Sequence, residues 1–319
     1  MLEISTVDPN ISNIVNNLVR KNKRDLYRKG KQLKLQAEHF TPAYRDFISN
    51  IIKNGSLSIK QRWNAGSLAT IRSTNTDKLS KRGVNIIKTD IDRVDTLPHE
   101  LGHAVDFWFG RYHPLSGTVV LWENKTLREI FNEEFASHKE HIYKHIMEEF
   151  KQIVNSNINP QAYDLLMGHI DKYRQLNNIP LGKYNSKNHK ARQKILKELY
   201  LSGFVETYYQ LAYTKCYSIL NTKYSPILDA LSSSFDIGDF FLDHHSKDYY
   251  ERNPNASVEE FFANVFEAKV TSKQAQYDSL IKFLPKSFNA FERLFVIFYD
   301  HIQNNKRFTD LTIKLDDKE

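Results

Sequence analysis

The sequence predicts a mainly helical α+β fold, in which one small sheet precedes a short central helix and a long series of further helices. Three observations carry that expectation. Apolar residues recur three and four apart from Ile11 to about Lys53, and again through most of the chain after Gly117, which is the period of amphipathic helices. The tract from Ser56 to Val94 changes character: Ser67-Leu68-Ala69-Thr70-Ile71-Arg72-Ser73 and Gly83-Val84-Asn85-Ile86-Ile87-Lys88 read as short strands, with turn-formers at Thr74 to Asp77. Directly after it, Asp95 or Thr96 can cap a helix whose first turn holds Pro98 and which Gly110 ends.

Taken in order, residues 1–55 form an N-terminal helical region with Ile11, Ile14, Val15, Leu18 and Val19, and later Phe47, Ile48, Ile51 and Ile52, as its apolar faces. Residues 56–120 hold the small sheet and the central helix. Residues 121–224 are helical over Leu127 to Val154, Ala162 to Leu176 and Ala191 to Leu220, with breaks at Asn155 to Pro160 and Asn177 to Asn188 and no fixed repeat. Residues 225–319 open on a looser stretch from Ser232 to Asn255 and continue as a helical subdomain. There Ser257 and Glu260 have capping-box spacing, and Phe261, Phe262, Val265 and Phe266 supply an apolar face. Leu280 to Ile302 is aromatic-rich and helical beyond Pro285, and the charged tail from Arg307 frays.

Composition narrows the function classes. A chain of 319 residues with 40% apolar content buries a large core in one or two domains. The net charge of +7 is a mild bias. Its densest part, Lys21, Lys23, Arg24, Arg28, Lys29, Lys31 and Lys34, scatters around several helical faces with few aromatic side chains between, so it reads as a solvated helix and no specific nucleic acid is indicated. Cys216 is the lone cysteine, which excludes intramolecular disulfides and metal sites built from several thiolates. No stretch approaches the apolar length of a membrane span, and Met1 to Asn10 contains no apolar signal core. Synthesis in a cytosol is therefore expected.

The chemistry concentrates in His99-Glu100-Leu101-Gly102-His103. Two histidines four apart on a helix project from one side, so both imidazoles can reach a single Zn2+. Glu100 then lies beside the open coordination position, placed to take a proton from water attacking a carbonyl and to pass it to the leaving amine. A catalytic zinc needs a third protein ligand. The metzincin pattern would require glycine and histidine where this chain has Asp106 and Phe109, and is ruled out. The gluzincin pattern takes a glutamate from a later helix: Glu260 is the leading candidate, with Glu259 and Glu267 in competition. Asp106 faces the same side as His103 and is a candidate acceptor for a ligand histidine's second N–H, or else a solvated acid. In His244-His245-Ser246-Lys247-Asp248-Tyr249-Tyr250, a tyrosine hydroxyl is a candidate oxyanion donor. His138, His141 and His145 share a helical face, but Lys139, Glu140 and Lys144 beside them mark it as solvent-exposed rather than a second metal cluster.

The run His99-Glu100-Leu101-Gly102-His103-Ala104-Val105-Asp106, with Glu260-Phe261-Phe262-Ala263-Asn264-Val265-Phe266, resembles the catalytic domain of anthrax lethal factor-like zincin metallopeptidases, which include the Pro-Pro endopeptidases. The run His245-Ser246-Lys247-Asp248-Tyr249-Tyr250 is also similar to zincin-like domains of phage minor head proteins. The resemblance implies one Zn2+ per chain on His99, His103 and Glu260, Glu100 as general base, and Tyr250 as oxyanion donor with Tyr249 as its alternate. It covers about a third of the chain, and three departures accompany it. The interval between His103 and Glu260 is far longer than in relatives, making 121–224 a helical insertion. Asn264 stands where relatives often carry an acid that supports the site. The tyrosine also lies further from the ligand glutamate. The implied function is a zinc-dependent endopeptidase acting on a protein or peptide substrate. The alternative it implies is a virion- or toxin-complex structural component that keeps a zincin fold.

Overall fold

The computed structural model describes residues 8–19, 33–54, 57–61, 70–71, 85–89, 96–109, 114–121, 123–157, 162–180, 184, 186–201, 217–235, 245 and 247–304. The described chain is mainly helical. Helices α1 (Pro9–Val19) and α2 (Pro42–Asn54) precede strands β1 (Leu57–Gln61), β2 (Thr70–Ile71) and β3 (Asn85–Thr89). Then follow α3 (Thr96–Phe109), α4 (Leu115–Thr118), α5 (Leu127–Asn157), α6 (Ala162–Asn178), α7 (Lys187–Leu201), α8 (Tyr217–Ser232) and α9 (Lys247–Arg252). The chain closes with α10 (Ala256–Val270), α11 (Gln274–Phe283) and α12 (Pro285–Gln303). The sheet order is β1-β3-β2: β3 pairs parallel to β1, with Leu57 opposite Asn85, and antiparallel to β2, with Thr70 opposite Lys88.

The chain divides into two compact units, residues 1–136 with 255–319, and residues 137–254. The division falls inside α5. The first unit is organised around α10, in which every residue from Glu260 to Ala268 is buried. Its Phe-rich side packs into the core, while Glu260, Asn264 and Glu267 form a buried polar stripe. Aromatic rings fill the space around it: Phe261 meets Phe131 of α5 at 4.7 Å, Phe262 meets Phe291 of α12 at 5.1 Å, and Phe266 meets Phe295 at 6.0 Å. Phe47 of α2 extends the cluster, 5.5 Å from both Phe295 and Phe298. Helix α3 is buried at Leu97, Leu101, Ala104 and Val105.

One buried acid completes this packing. Glu134 of α5 accepts the Lys286 and Ser287 backbone N–H groups at 2.9 and 2.7 Å and the Ser287 hydroxyl at 2.6 Å. These are first-turn donors of α12, which no intrahelical carbonyl can satisfy. A carboxylate at that end also complements the helix dipole.

In the second unit, α8 buries Leu220, Tyr224, Ile227, Leu228 and Leu231 along one stripe. Glu149 of α5 accepts from the Tyr224 hydroxyl at 2.5 Å and from Lys223 at 2.9 Å. Arg192 of α7 donates to the Leu176 and Ile179 carbonyls at 2.5 and 2.7 Å, closing the C-terminal end of α6.

Three local expectations are corrected. β1 forms in Leu57–Gln61, a strand beyond the two expected at Ser67 to Ser73 and Gly83 to Lys88. The Ser257-x-x-Glu260 capping box does not form: α10 begins at Ala256 with Asn255 as its cap residue and no side-chain cap bond, so Ser257 lies inside the helix. Part of the looser stretch is helical, as α9. The proposed cap Asp95, the terminator Gly110, the Thr74 to Asp77 turn, most of the basic tract and Cys216 lie outside the described residues.

Replacing Glu134 with alanine strands two backbone donors and a hydroxyl. The expected loss is about 2–3 kcal/mol of unfolding free energy, with a smaller loss for Glu134→Gln, measured by urea denaturation.

Candidate metal centre

Helices α3 and α10 touch backbone to backbone because of one residue. A Cβ built on Gly102 would sit 2.7 Å from Ala263 Cα and 2.9 Å from its carbonyl oxygen. Only glycine permits that approach. In α3, His99, Gly102, His103 and Asp106 follow the three- and four-residue spacing of one helical face; in α10, Glu260, Ala263, Asn264 and Glu267 do the same. The two stripes face each other across the Gly102–Ala263 contact.

This contact brings three ligand atoms together. His99 Nε2 and His103 Nε2 are 3.2 Å apart, and a single oxygen of Glu260, Oε2, lies 3.3 Å from the first and 3.2 Å from the second. The geometry can be tested against a tetrahedral ion. Ligands about 2.0–2.1 Å from zinc in tetrahedral coordination are roughly 3.3–3.4 Å from one another. All three edges fall close to that length. Two imidazole nitrogens and a carboxylate oxygen are also the donor set zinc prefers, and three such ligands leave a fourth position open. Both histidine side chains keep 21% of their surface exposed while Glu260 keeps 5%, so solvent reaches the centre from the histidine side.

The acids around the centre are buried and act on the imidazoles. Burial opposes protonation of His99, but the bond to Glu260, the contact with Glu267 and the charges of Glu260 and Glu100 together hold its pKa well above the ordinary value. His103 is raised in the same way: burial works against it, and the charge and bond of Glu260 outweigh burial. Glu100 is 6% exposed and lies between the two ligand histidines in sequence. Burial pushes Asp106 up to about 7, against the bonds it receives from Ser116.

The other candidates are placed as follows. Both Asp106 oxygens are used by Ser116, accepting its backbone N–H at 2.8 Å and its hydroxyl at 2.9 Å, and this buried pairing replaces the solvated reading. The carboxylate at a ligand histidine's second nitrogen is instead Glu267, whose Oε2 lies 3.6 Å from His99 Nδ1. Asn264 donates its amide to the Glu260 backbone carbonyl at 2.9 Å. Glu259 faces Arg128 at 4.0 Å. Tyr249 and Tyr250 belong to the second unit, where Tyr249 stacks on His245 at 4.0 Å and the buried Tyr250 hydroxyl donates to Asp229 at 3.2 Å. A phenol has one proton to give, so Tyr250 has none for an oxyanion while that bond holds. His138 and His141 are exposed. Among the described residues, His99, His103 and Glu260 form the one group of three placed to hold a metal ion.

Sequence reasoning missed two parts of the centre. Gly102 was assigned no role, because a close helix approach leaves no local signal. Glu267 was weighed only as a ligand, although a spacing of seven residues from Glu260, two helical turns, places it on the same face beyond the reach of the same ion.

Gly102→Ala forces α3 and α10 apart at the point where the ligands converge. The expected result is a net destabilisation of about 1–3 kcal/mol despite alanine's better helix propensity, and at least a tenfold loss of zinc affinity. Calorimetry with and without zinc measures both. The raised histidine pKa values fix a pH dependence. In metal-free protein the imidazolium–carboxylate contacts stabilise fully below the unfolded value of 6.5, and that stabilisation is lost as pH rises through the raised folded values. Because zinc must displace those protons, the rise in Tm on adding zinc grows with pH over the same window; a rise independent of pH would contradict it.

No protein-family model, curated protein or solved structure matches this chain, so what the centre does has to follow from its own side chains.

Proposed function

We propose that the protein is a zinc-dependent endopeptidase that hydrolyses peptide bonds in a protein substrate, with His99, His103 and Glu260 as metal ligands and Glu100 as the proton carrier. The observation that carries this reading is the triangle of two imidazole nitrogens and one carboxylate oxygen, with edges of 3.2, 3.2 and 3.3 Å, beside a buried acid. The resemblance of the two motifs to lethal factor-like peptidases supports the same reading, and on it the fold is a zincin of the gluzincin type.

Zinc held by these ligands supplies the Lewis acidity that lets water add to a peptide carbonyl near neutral pH. The protein's own residues do the rest. Glu100 takes a proton from the attacking water as the new C–O bond forms. As the C–N bond breaks, it gives that proton to the leaving amine and returns to its starting state. His99 and His103 stay neutral ligands throughout, which the surrounding acids favour only once a cation replaces their protons. No step is assigned to Tyr250, whose proton is held by Asp229.

A structural zinc site is closed by four protein ligands. Among the described residues three ligands converge, and both histidine side chains are part-exposed, which favours catalysis over a purely architectural metal.

Glu100→Gln is expected to keep zinc at one ion per chain and to lower cleavage of a peptide library by about 10²–10⁴-fold. Glu260→Ala is expected to lose the metal itself. If the zinc-loaded parent cuts no peptide that Glu100→Gln spares, the peptidase reading fails.

A further inference from the structure

Glu267 is buried on a helix whose neighbours are apolar, and a carboxylate there must be paired on both oxygens to be tolerated. One oxygen, Oε2, lies 3.6 Å from His99 Nδ1, on the side of the ring away from Glu260. The other, Oε1, accepts a bond from the Lys273 ammonium. What delivers that lysine is the way α10 ends. Ser272 takes a left-handed conformation, φ 54°, and the Lys273 backbone N–H donates to the Ala268 carbonyl at 2.9 Å. Thr271 donates both its backbone N–H, at 3.0 Å, and its hydroxyl, at 2.7 Å, to the Glu267 carbonyl. This reversal folds the chain back over its own last turn, so Lys273 returns to the side chain of Glu267.

The geometry points to Lys273 and Glu267 as positioning residues that set the metal affinity of the centre through His99. Lys273 fixes one carboxylate oxygen, which fixes the direction of the other. The negative charge 3.6 Å from Nδ1 then favours the tautomer with its proton on that nitrogen, and Nε2 keeps its lone pair toward His103 Nε2 and Glu260 Oε2. Asn264, one turn after Glu260, donates its amide to the Glu260 carbonyl at 2.9 Å. The support comes from two turns along the same face. The inference rests on the proposed zinc site, and it adds a lysine that touches neither metal nor substrate.

The test uses the full chain and zinc itself, with affinity measured by chelator competition, alongside Tm of the metal-free protein. Glu267→Gln keeps the shape and loses the charge, and Lys273→Met keeps the stem and loses the ammonium. Zinc affinity is expected to fall about 10- to 100-fold in the first and about 3- to 10-fold in the second. In the double variant the lysine substitution is expected to add nothing further, because its effect passes through the carboxylate. Nitrogen NMR of the His99 ring is expected to show the Nδ1–H tautomer in zinc-loaded parent and a weakened Nδ1 hydrogen bond in Glu267→Gln. If Lys273→Met lowers Tm but leaves zinc affinity unchanged, the lysine only closes the helix and the inference is overturned. Full additivity in the double variant overturns it too. A parent that binds no zinc fails at an earlier step, and that failure belongs to the metal-site reading.

Discussion

The first unit depends on a carboxylate placed where a carboxylate is costly. Glu260 sits in a largely buried helix and keeps 5% of its side-chain surface, so it needs a cation or strong donors at contact distance. His99 and His103 of α3 stand at that distance, and they reach it because Gly102 lets that helix lie against the Ala263 backbone. In the absence of a metal the two imidazoles share protons with the acid, and this is why burial fails to lower their pKa values. A divalent cation meets the same demand with better geometry, since it satisfies two nitrogens and the oxygen at once.

The packing behind α10 explains how so close a convergence is held. Phe262 and Phe266, one turn apart, meet rings of α12, and Phe261 on another side meets a ring of α5. Helix α12 is itself anchored by Glu134 at its first turn. A rotation of α10 that moved Glu260 away from the histidines would have to break these aromatic contacts together. Ligand sets are most exact when supporting side chains are locked in this way. Glu260 and Glu267, on one stripe of that helix, inherit its rigidity, and both press on His99 from opposite ring nitrogens.

Much of this was legible in the sequence because it is local. The spacing of His99 and His103, the proline in the first turn and the Phe-rich run around Glu260 are one-dimensional facts with a helical meaning. The pairing of Glu260 with the histidines was harder, since 157 residues separate it from His103 and three acids competed for the role. The capping-box pattern at Ser257 even argued for a different use of Glu260. That pattern lost because α10 starts at Ala256, which leaves Ser257 no free end to cap and turns Glu260 inward. The strand at Leu57–Gln61 was not legible, because its partner β3 is distant in sequence and parallel pairing leaves no hairpin signal.

The division of labour among the acids is what the proposed hydrolytic reading rests on. Glu260 meets both Nε2 atoms, Glu267 meets the outer nitrogen of His99, and Asp106 turns away to Ser116. Glu100, next to His99 and three residues before His103, is a buried acid that is not one of the three grouped ligand residues. Glu267 has a use in holding a metal, through His99, whereas Glu100 has none among the three ligands, and a buried carboxylate carries a desolvation cost. On the proposed peptidase reading that cost is offset by a proton carrier between the attacking water and the leaving amine.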